Sequence, residues 1–506
     1  MDRQVRGSDD SEQTCDQIDA FKYSVNVEVQ VRELDDSKDR CDEINTLIED
    51  WDAPSNLENP RNWSALKKAC HIIPVALLCL SVTAGSSMIT PGIFAIAYKF
   101  NVSHTAAILP LSLFVLGLAI GPMLAAPISE TRGRGIVYKV SMPLYMLFIL
   151  GAGFSNSFAG LLVCRTLAAI AGAPCLAVGA GTVADLFEPN KMAGPGALVV
   201  MAPFLGPCLG PVIGGFSATF TEYRWTQWST IFLALAAYIL VLPTHETHRK
   251  VLLKRKAKQM NLPSPEPELP PREAIKLLLT ITLFRPIRML MSEPIVLLYS
   301  IYNAFTFSVL FAFFEAYPFV FMGEYGFEIW QYGLTFLGIG VGVLLGAVGA
   351  ILVDRLVYQR IVREDGERIR NRGPEQRLYI GMVGDLCLPI GLIWFALTAK
   401  PSIHWIVPVL AGVPFAFGNV TVFISAALYM LDVYGPMSGA SAMAANGLLR
   451  YTMGASFPLF TVQMYQALGV KWATLLLAFV CLLMVPIPWV FYKYGPGIRK
   501  KSAYSQ

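Results

Sequence analysis

GPCLGPVIGG, residues 206–215, lies inside a strongly apolar segment and sets four glycines and two prolines where a membrane-spanning helix must run. Lipid offers no partner to a carbonyl that proline leaves unbonded. Such a helix therefore persists only when packed against neighbouring helices or facing a water-filled cavity. Gly206, Gly210 and Gly214 recur at intervals of four, with Gly215 beside them, so one face is bare enough for another helix to approach closely. Together with Pro207 and Pro211 they admit two readings: a kinked packing seam, or a span that bends and rocks.

The rest of the chain is built for lipid. Of 506 residues, 54% are hydrophobic and only 15% are charged, against roughly a quarter charged in soluble proteins. Apolar stretches of span length, about 20 residues, fall near 70–94, 105–127, 137–155, 158–182, 192–217, 226–243, 294–321, 329–353, 378–398, 403–430, 438–465 and 469–491. The expectation is an all-α membrane protein of twelve transmembrane helices. Residues 1–68 read as a disordered cytosolic tail, 69–243 as an N-terminal six-helix bundle and 244–291 as a cytosolic linker. Residues 292–492 read as a C-terminal six-helix bundle and 493–506 as a cytosolic tail. Within the linker, KRKAKQ (254–259) and NLPSPEPELPP (261–271) precede an expected surface helix at 272–283. No basic stretch followed by an apolar one precedes the first span, so no cleavable leader is expected.

Lys and Arg set the orientation. With both termini cytosolic, all but six of the 40 basic residues lie on the cytosolic side; Lys99, Lys400, Lys471 and Arg224 lie opposite, and Arg165 and Arg450 within spans. The net charge of +4 then reflects loops facing anionic lipid and gives no reason to invoke nucleic acid. Cys15 and Cys41 fall in the tail and the other seven cysteines within spans, so no structural disulfide is expected. The histidines are scattered, and no metal site is expected.

A charge at the bilayer centre costs on the order of 3 kcal/mol even on insertion scales, so each needs a reason. Arg165, in the fourth span, must face the bundle interior, where it meets an acid, water or substrate, or pairs structurally with carbonyls. Arg450, deep in the eleventh span, follows Asn446 by one helical turn and shares its face. Glu315, in FAFFEAYPF of the seventh span, either changes protonation as its surroundings alternate or is a helix-end carboxylate satisfied by water; Asp385 is a weaker candidate. At the cytosolic edges, Glu130, Arg132 and Arg134 follow the second span, and Asp354, Arg355 and Arg360 follow the eighth. Paired clusters at matched ends suggest internal duplication with ion-paired latches. There is no phosphate-binding loop of Walker type, no GxSxG elbow and no HExxH helix, so neither ATP-driven work nor hydrolysis is indicated.

These residues resemble the major facilitator superfamily, and within it the fungal twelve-span drug:proton antiporters. WDAPSNLENPRNWS (51–64) looks like the segment before their first span. APISETRGRG (126–135) is similar to the superfamily's loop motif, departing from it at Ala126, Glu130 and Gly135. The resemblance implies a cytosolic latch at Glu130, Gly133 and Arg134, with Asp354 and Arg355 its counterpart in the second half. CRTLAAIAG (164–172) fits the motif whose Arg the family ties to proton coupling, and GPCLGPVIGG fits the antiporter motif. FEAYPFVF (314–321), LPIGLIWFALTA (388–399) and SAMAANGLLRYTMGASFPLF (441–460) also look like this group. The resemblance selects the rocking reading of 206–215.

It implies two six-helix bundles around a cavity open alternately to each side. The expected function is proton-coupled efflux of a drug or self-made fungal toxin across the plasma membrane by a multi-pass monomer, with no enzyme activity and no cofactor. Its partners would be small-molecule substrate, protons and the lipid bilayer. Arg165 and Glu315 are assigned to proton coupling; Asn446, Arg450, Tyr302 and Phe311 to the substrate cavity. The aromatics Tyr302, Phe305, Phe307, Phe311, Phe313, Phe314 and Tyr317 either stack on a flat ligand or pack. The alternatives are vacuolar or uptake transport of a polyamine-like solute, and a transporter-like solute sensor.

Overall fold

The computed structural model describes residues 51, 53, 55–188, 191–260, 262, 280, 284–358, 374–500, 502 and 504. The expected surface helix at 272–283, residue 280 aside, lies outside these residues, as do residues 1–50 and Arg360. By contacts the chain forms two units, residues 1–53 with 253–267, and residues 54–252 with 268–506; every membrane-length helix belongs to the second.

Local chemistry sets the helix ends. The Ser64 side chain accepts from the Lys67 N–H and opens α1 (Ala65–Ser87). A 3-10 turn at Thr90–Gly92 leads into α2 (Ile93–Phe100), and Ser103 caps α3 (His104–Arg132) in the same way. At Gly133, φ is 101°, a conformation suited to glycine, and the chain turns directly into α4 (Arg134–Phe154). Then come α5 (Phe158–Gly172), α6 (Pro174–Leu186), α7 (Ala193–Phe220) and α8 (Trp225–Val241). The basic segment read as linker is helical, as α9 (Arg249–Gln259). The second half holds α10 (Arg285–Ser292), α11 (Pro294–Tyr317) and α12 (Ile329–Val353), the last opened by a capping box between Glu328 and Gln331. It ends with α13 (Tyr379–Thr398), α14 (Ile406–Met484) and α15 (Pro486–Arg499).

Ten helical stretches are long and apolar enough to cross a membrane, and no strand occurs among the described residues. The difference from the expected twelve has two sources. Helix α8 has only 17 residues. The stretch Ser438–Arg499 runs as one, although Gly469, at φ 74°, breaks its helical path; Gly435, at φ 67°, likewise breaks α14.

Helix α7 packs between α1 and α12. Its glycines at 206, 210 and 214 face α1, while Gly215 faces Ile329 and Trp330, and Gly333 of α12 lies against the Pro211 carbonyl. Cys208 sits opposite Gly340, so α7 and α12 run antiparallel. One end of the bundle therefore carries the charged clusters after α3 and α12. At the opposite end the halves touch: the Thr90 and Tyr332 hydroxyls are 3.4 Å apart, and the Gln463 amide lies 2.8 Å from the Thr105 hydroxyl.

Candidate functional site

Arg165 is fully buried, and its guanidinium reaches three other helices. Nη1 donates to the Gly85 carbonyl at 2.9 Å and to Gln227 Oε1 at 3.2 Å. Nη2 donates to the Ser86 carbonyl at 3.0 Å, Nε to the Pro110 carbonyl at 3.4 Å, and the Phe114 ring lies 4.5 Å away. Gly85 and Ser86 belong to the last turn of α1, where carbonyls lack helical partners. No carboxylate is among its hydrogen-bond partners. The side chain ties the end of α1 to α3, α5 and α8, as the carbonyl-pairing alternative has it.

At mid-depth a cavity of about 10 Å³ lies between the halves, room for roughly one water. Thr83 and Ser86 of α1, Phe204 and Pro207 of α7, Phe311 of α11 and Arg450 of α14 are among its walls. Rings surround the Arg450 guanidinium: Phe423 at 4.5 Å, Tyr451 at 4.6 Å, Phe307 at 4.9 Å and Phe204 at 6.0 Å. Its Nη2 donates to the Tyr451 hydroxyl at 3.0 Å, and its Nε has no hydrogen-bond partner. Of the expected cavity residues, the structure thus brings Arg450 and Phe311 together. Asn446 and Tyr302 are fully buried, with the Asn446 amide and the Tyr302 hydroxyl unpartnered, but neither lines this cavity.

The aromatics of α11 divide by role. Phe307 and Phe311 line the cavity, whereas Phe313, Phe314 and Tyr317 pack on Phe395, Phe415 and Phe336. Glu315 is elsewhere. It lines a second cavity, at the end where the halves touch, with Oε2 3.8 Å from Nε2 of His104 and Oε1 without a hydrogen-bond partner. His104 crosses from α3 to meet it. Asp385 is fully buried in α13.

The glycine face of α7 leaves no slack. A Cβ at Gly206 or Gly210 would overlap the Thr83 or Ser87 hydroxyl, and one at Gly214 the Met88 carbonyl. Pro211 has no N–H for the Pro207 carbonyl, and the Ser87 hydroxyl donates to that oxygen instead, at 3.3 Å.

The charged clusters contain the expected Arg134 and Asp354 but pair them with residues other than those expected. Glu130 is exposed. Arg134 Nε meets Asp185 Oδ2 at 3.1 Å, and its backbone N–H, with that of Gly135, donates to the Glu246 carboxylate at 2.7 and 3.0 Å. That carboxylate fills the space a Cβ at Gly133 would need. In the second half Arg355 is exposed, and Arg377 is the central cation, 3.0 Å from Asp354 and 2.9 Å from Asp432. The repeat survives in other residues: Arg134 pairs with Asp185 near the end of α6 as Arg377 pairs with Asp432 before the break at Gly435.

The comparisons agree with this architecture. Residues 75–458 match the family described as Major Facilitator Superfamily. Polyamine transporter 4 of Saccharomyces cerevisiae is 39% identical over 486 residues, covering 90% of this chain and 73% of its own length. Efflux pump FUB11 of Gibberella moniliformis is 37% identical over 460 residues, covering 89% of this chain and 77% of its own. The proton:xylose symporter XylE, bound to 6-bromo-6-deoxy-D-glucose, has a TM-score of 0.62 at 14% identity, covering 85% of this chain and 97% of that one. At that identity the likeness is one of fold. The helical bundle, the paired clusters and a match over most of its length place this multi-pass membrane transporter, which is no enzyme, in the major facilitator superfamily.

Proposed function

We propose that this chain exports hydrophobic or amphipathic small molecules across the plasma membrane by alternating access, in exchange for protons. The observation that carries the reading is the mid-depth cavity, apolar and aromatic apart from Arg450 and a few hydroxyls, and bounded by helices of both halves. Two fungal relatives, FUB11 and the Fusarium oxysporum pump FUBT, are named efflux pumps. In this reading α8 and the two parts of Ser438–Arg499 on either side of Gly469 complete twelve spans, six per half, with both termini cytosolic. The halves rock about the seam of α7 with α1 and α12. Glu315, facing His104, is the acid that carries the proton, while Arg165 holds the helix ends on which the coupling geometry depends.

Efflux measured in proteoliposomes with an imposed pH gradient tests this. Acidifying the compartment that receives substrate should drive accumulation there. Glu315→Gln should still exchange substrate but no longer accumulate it. Accumulation by that variant equal to the parent's would remove Glu315 from the role.

A second reading, transport of a polyamine-like cation at the vacuolar membrane, is favoured by the 39% identical yeast relative. A polycation needs carboxylates at its site, and among the described residues none lines the mid-depth cavity; Glu315 belongs to the separate one. Labelled spermidine that is carried and competes with efflux substrates would favour this reading.

A further inference from the structure

The charge of the mid-depth cavity narrows its ligand. Among the described residues Arg450 is the only charged side chain in the cavity wall, and it is 9% exposed. No Asp or Glu among the described residues pairs with it. Rings cover the guanidinium, and they offset part of the lost hydration of the cation. They cannot supply an acceptor for its Nε–H, which has no partner. A buried cation with a free in-plane donor and no counter-ion is matched by a carboxylate, whose two oxygens meet the planar fork.

We propose that the substrate of this cavity is an amphipathic organic monoanion, a carboxylate on a flat or chain-like apolar body. The inference rests on the export reading for the direction of movement but not for the binding itself. The carboxylate accepts from Arg450 Nε and the adjacent Nη. In the closed form the cavity holds only about one water, so the apolar body enters once the halves have parted and then lies along Phe307, Phe311 and Leu118. Phe204 makes the arrangement responsive to the transport cycle. Of the four rings it alone comes from the first half, on α7, where its ring lies 5.2 Å from that of Phe423 and 6.3 Å from that of Phe307. When the halves part, Phe204 withdraws with α7 and uncovers one side of the guanidinium. When they close, it returns and excludes water from the ion pair, which strengthens the pair. A polycation finds only repulsion here.

The test is equilibrium binding to the purified full chain in detergent, without a proton gradient. Three probes share one apolar body: 2-naphthoate, its neutral amide and 2-naphthylmethylammonium; spermidine is the fourth. Naphthoate should bind at least about tenfold more tightly than the other three, a charge-assisted bidentate pair against a neutral or repelled one. Arg450→Gln should abolish that preference while leaving the amide's affinity within about threefold. Arg450→Lys keeps the charge but loses the fork, and should retain part of the preference. It also serves as the measurement if the Gln variant does not fold. Equal binding of acid and amide, tightest binding of spermidine, no saturable binding of naphthoate, or a preference that survives Arg450→Gln would each overturn the proposal. Selective naphthoate binding without gradient-driven efflux would overturn only the export reading.

Discussion

Arg165 holds four oxygens on three helices with one planar group, and lysine cannot reproduce that geometry. Each buried carbonyl left without a donor costs about 1–3 kcal/mol. Arg165→Lys should therefore lower the thermal unfolding midpoint in detergent by several degrees as well as abolish gradient-driven efflux. Gln227→Ala removes one partner of four and should cost roughly 1 kcal/mol, with transport reduced but present. A midpoint unchanged in Arg165→Lys would mean that these hydrogen bonds do not hold α1 in place. The depth of Arg165 was legible because a charge in an apolar run is conspicuous. Its partners were not, because three are backbone carbonyls and every residue has one. His104 was missed for a similar reason: a histidine at a helix start is ordinary until the fold sets it against Glu315, 211 positions away. Arg377 was one basic residue among many in a loop, and only the packing of α12 and α14 distinguishes it from Arg355.

At the scale of the element, α7 was readable as a close-packed helix from its glycine spacing alone. The spacing could not say which neighbour each glycine admits. Gly214 meets the backbone of Met88, the residue that ends α1, and Gly215 the start of α12. The nearest α12 atom lies 3.1 Å from where a Cβ on Gly215 would stand, so the two adjacent positions should respond differently. Gly214→Ala should cost about 1–3 kcal/mol through overpacking and lower both folded yield and transport. Gly215→Ala should cost less than Gly214→Ala, because the α12 backbone has to give by only a few tenths of an ångström. Fluorescence-detected size exclusion and efflux assays on both variants check this. Equal tolerance at both positions would show that α1 can move away from α7 without loss. Leucine at Gly210 overlaps the Ser87 hydroxyl that serves the Pro207 carbonyl, so Gly210→Leu should block transport and reduce yield together.

On the scale of the whole molecule, the charge bias predicts that a protease site placed in 262–270 is cut only from the cytosolic side. Cleavage on intact cells would reverse the orientation. The sequon Asn101-Val102-Ser103 lies between α2 and α3, and its geometry argues against modification. Asn101 adopts φ 50° between α2 and α3, and the Ser103 side chain is committed to the Ala106 N–H as helix cap. No glycosidase-sensitive mass shift is expected. The helical class was legible from composition. The spans read at 438–465 and 469–491 already separate at the break that Gly469 makes in α14.

The shortness of α8 bears on the membrane itself. Seventeen residues rise about 26 Å, some 4 Å less than a typical hydrocarbon core of about 30 Å. Its outer face presents Phe232, Leu235 and Ile239 to lipid, and Trp225 at one end is exposed where an interfacial ring belongs. With α8 as one of the twelve proposed spans, neighbouring lipid thins to meet these anchors. Because Gln227 on the same helix holds Arg165, bilayer thickness is linked to the seat of that arginine. Turnover should accordingly be faster in short-chain than in long-chain phosphatidylcholine, and equal turnover would remove the link between bilayer thickness and Arg165.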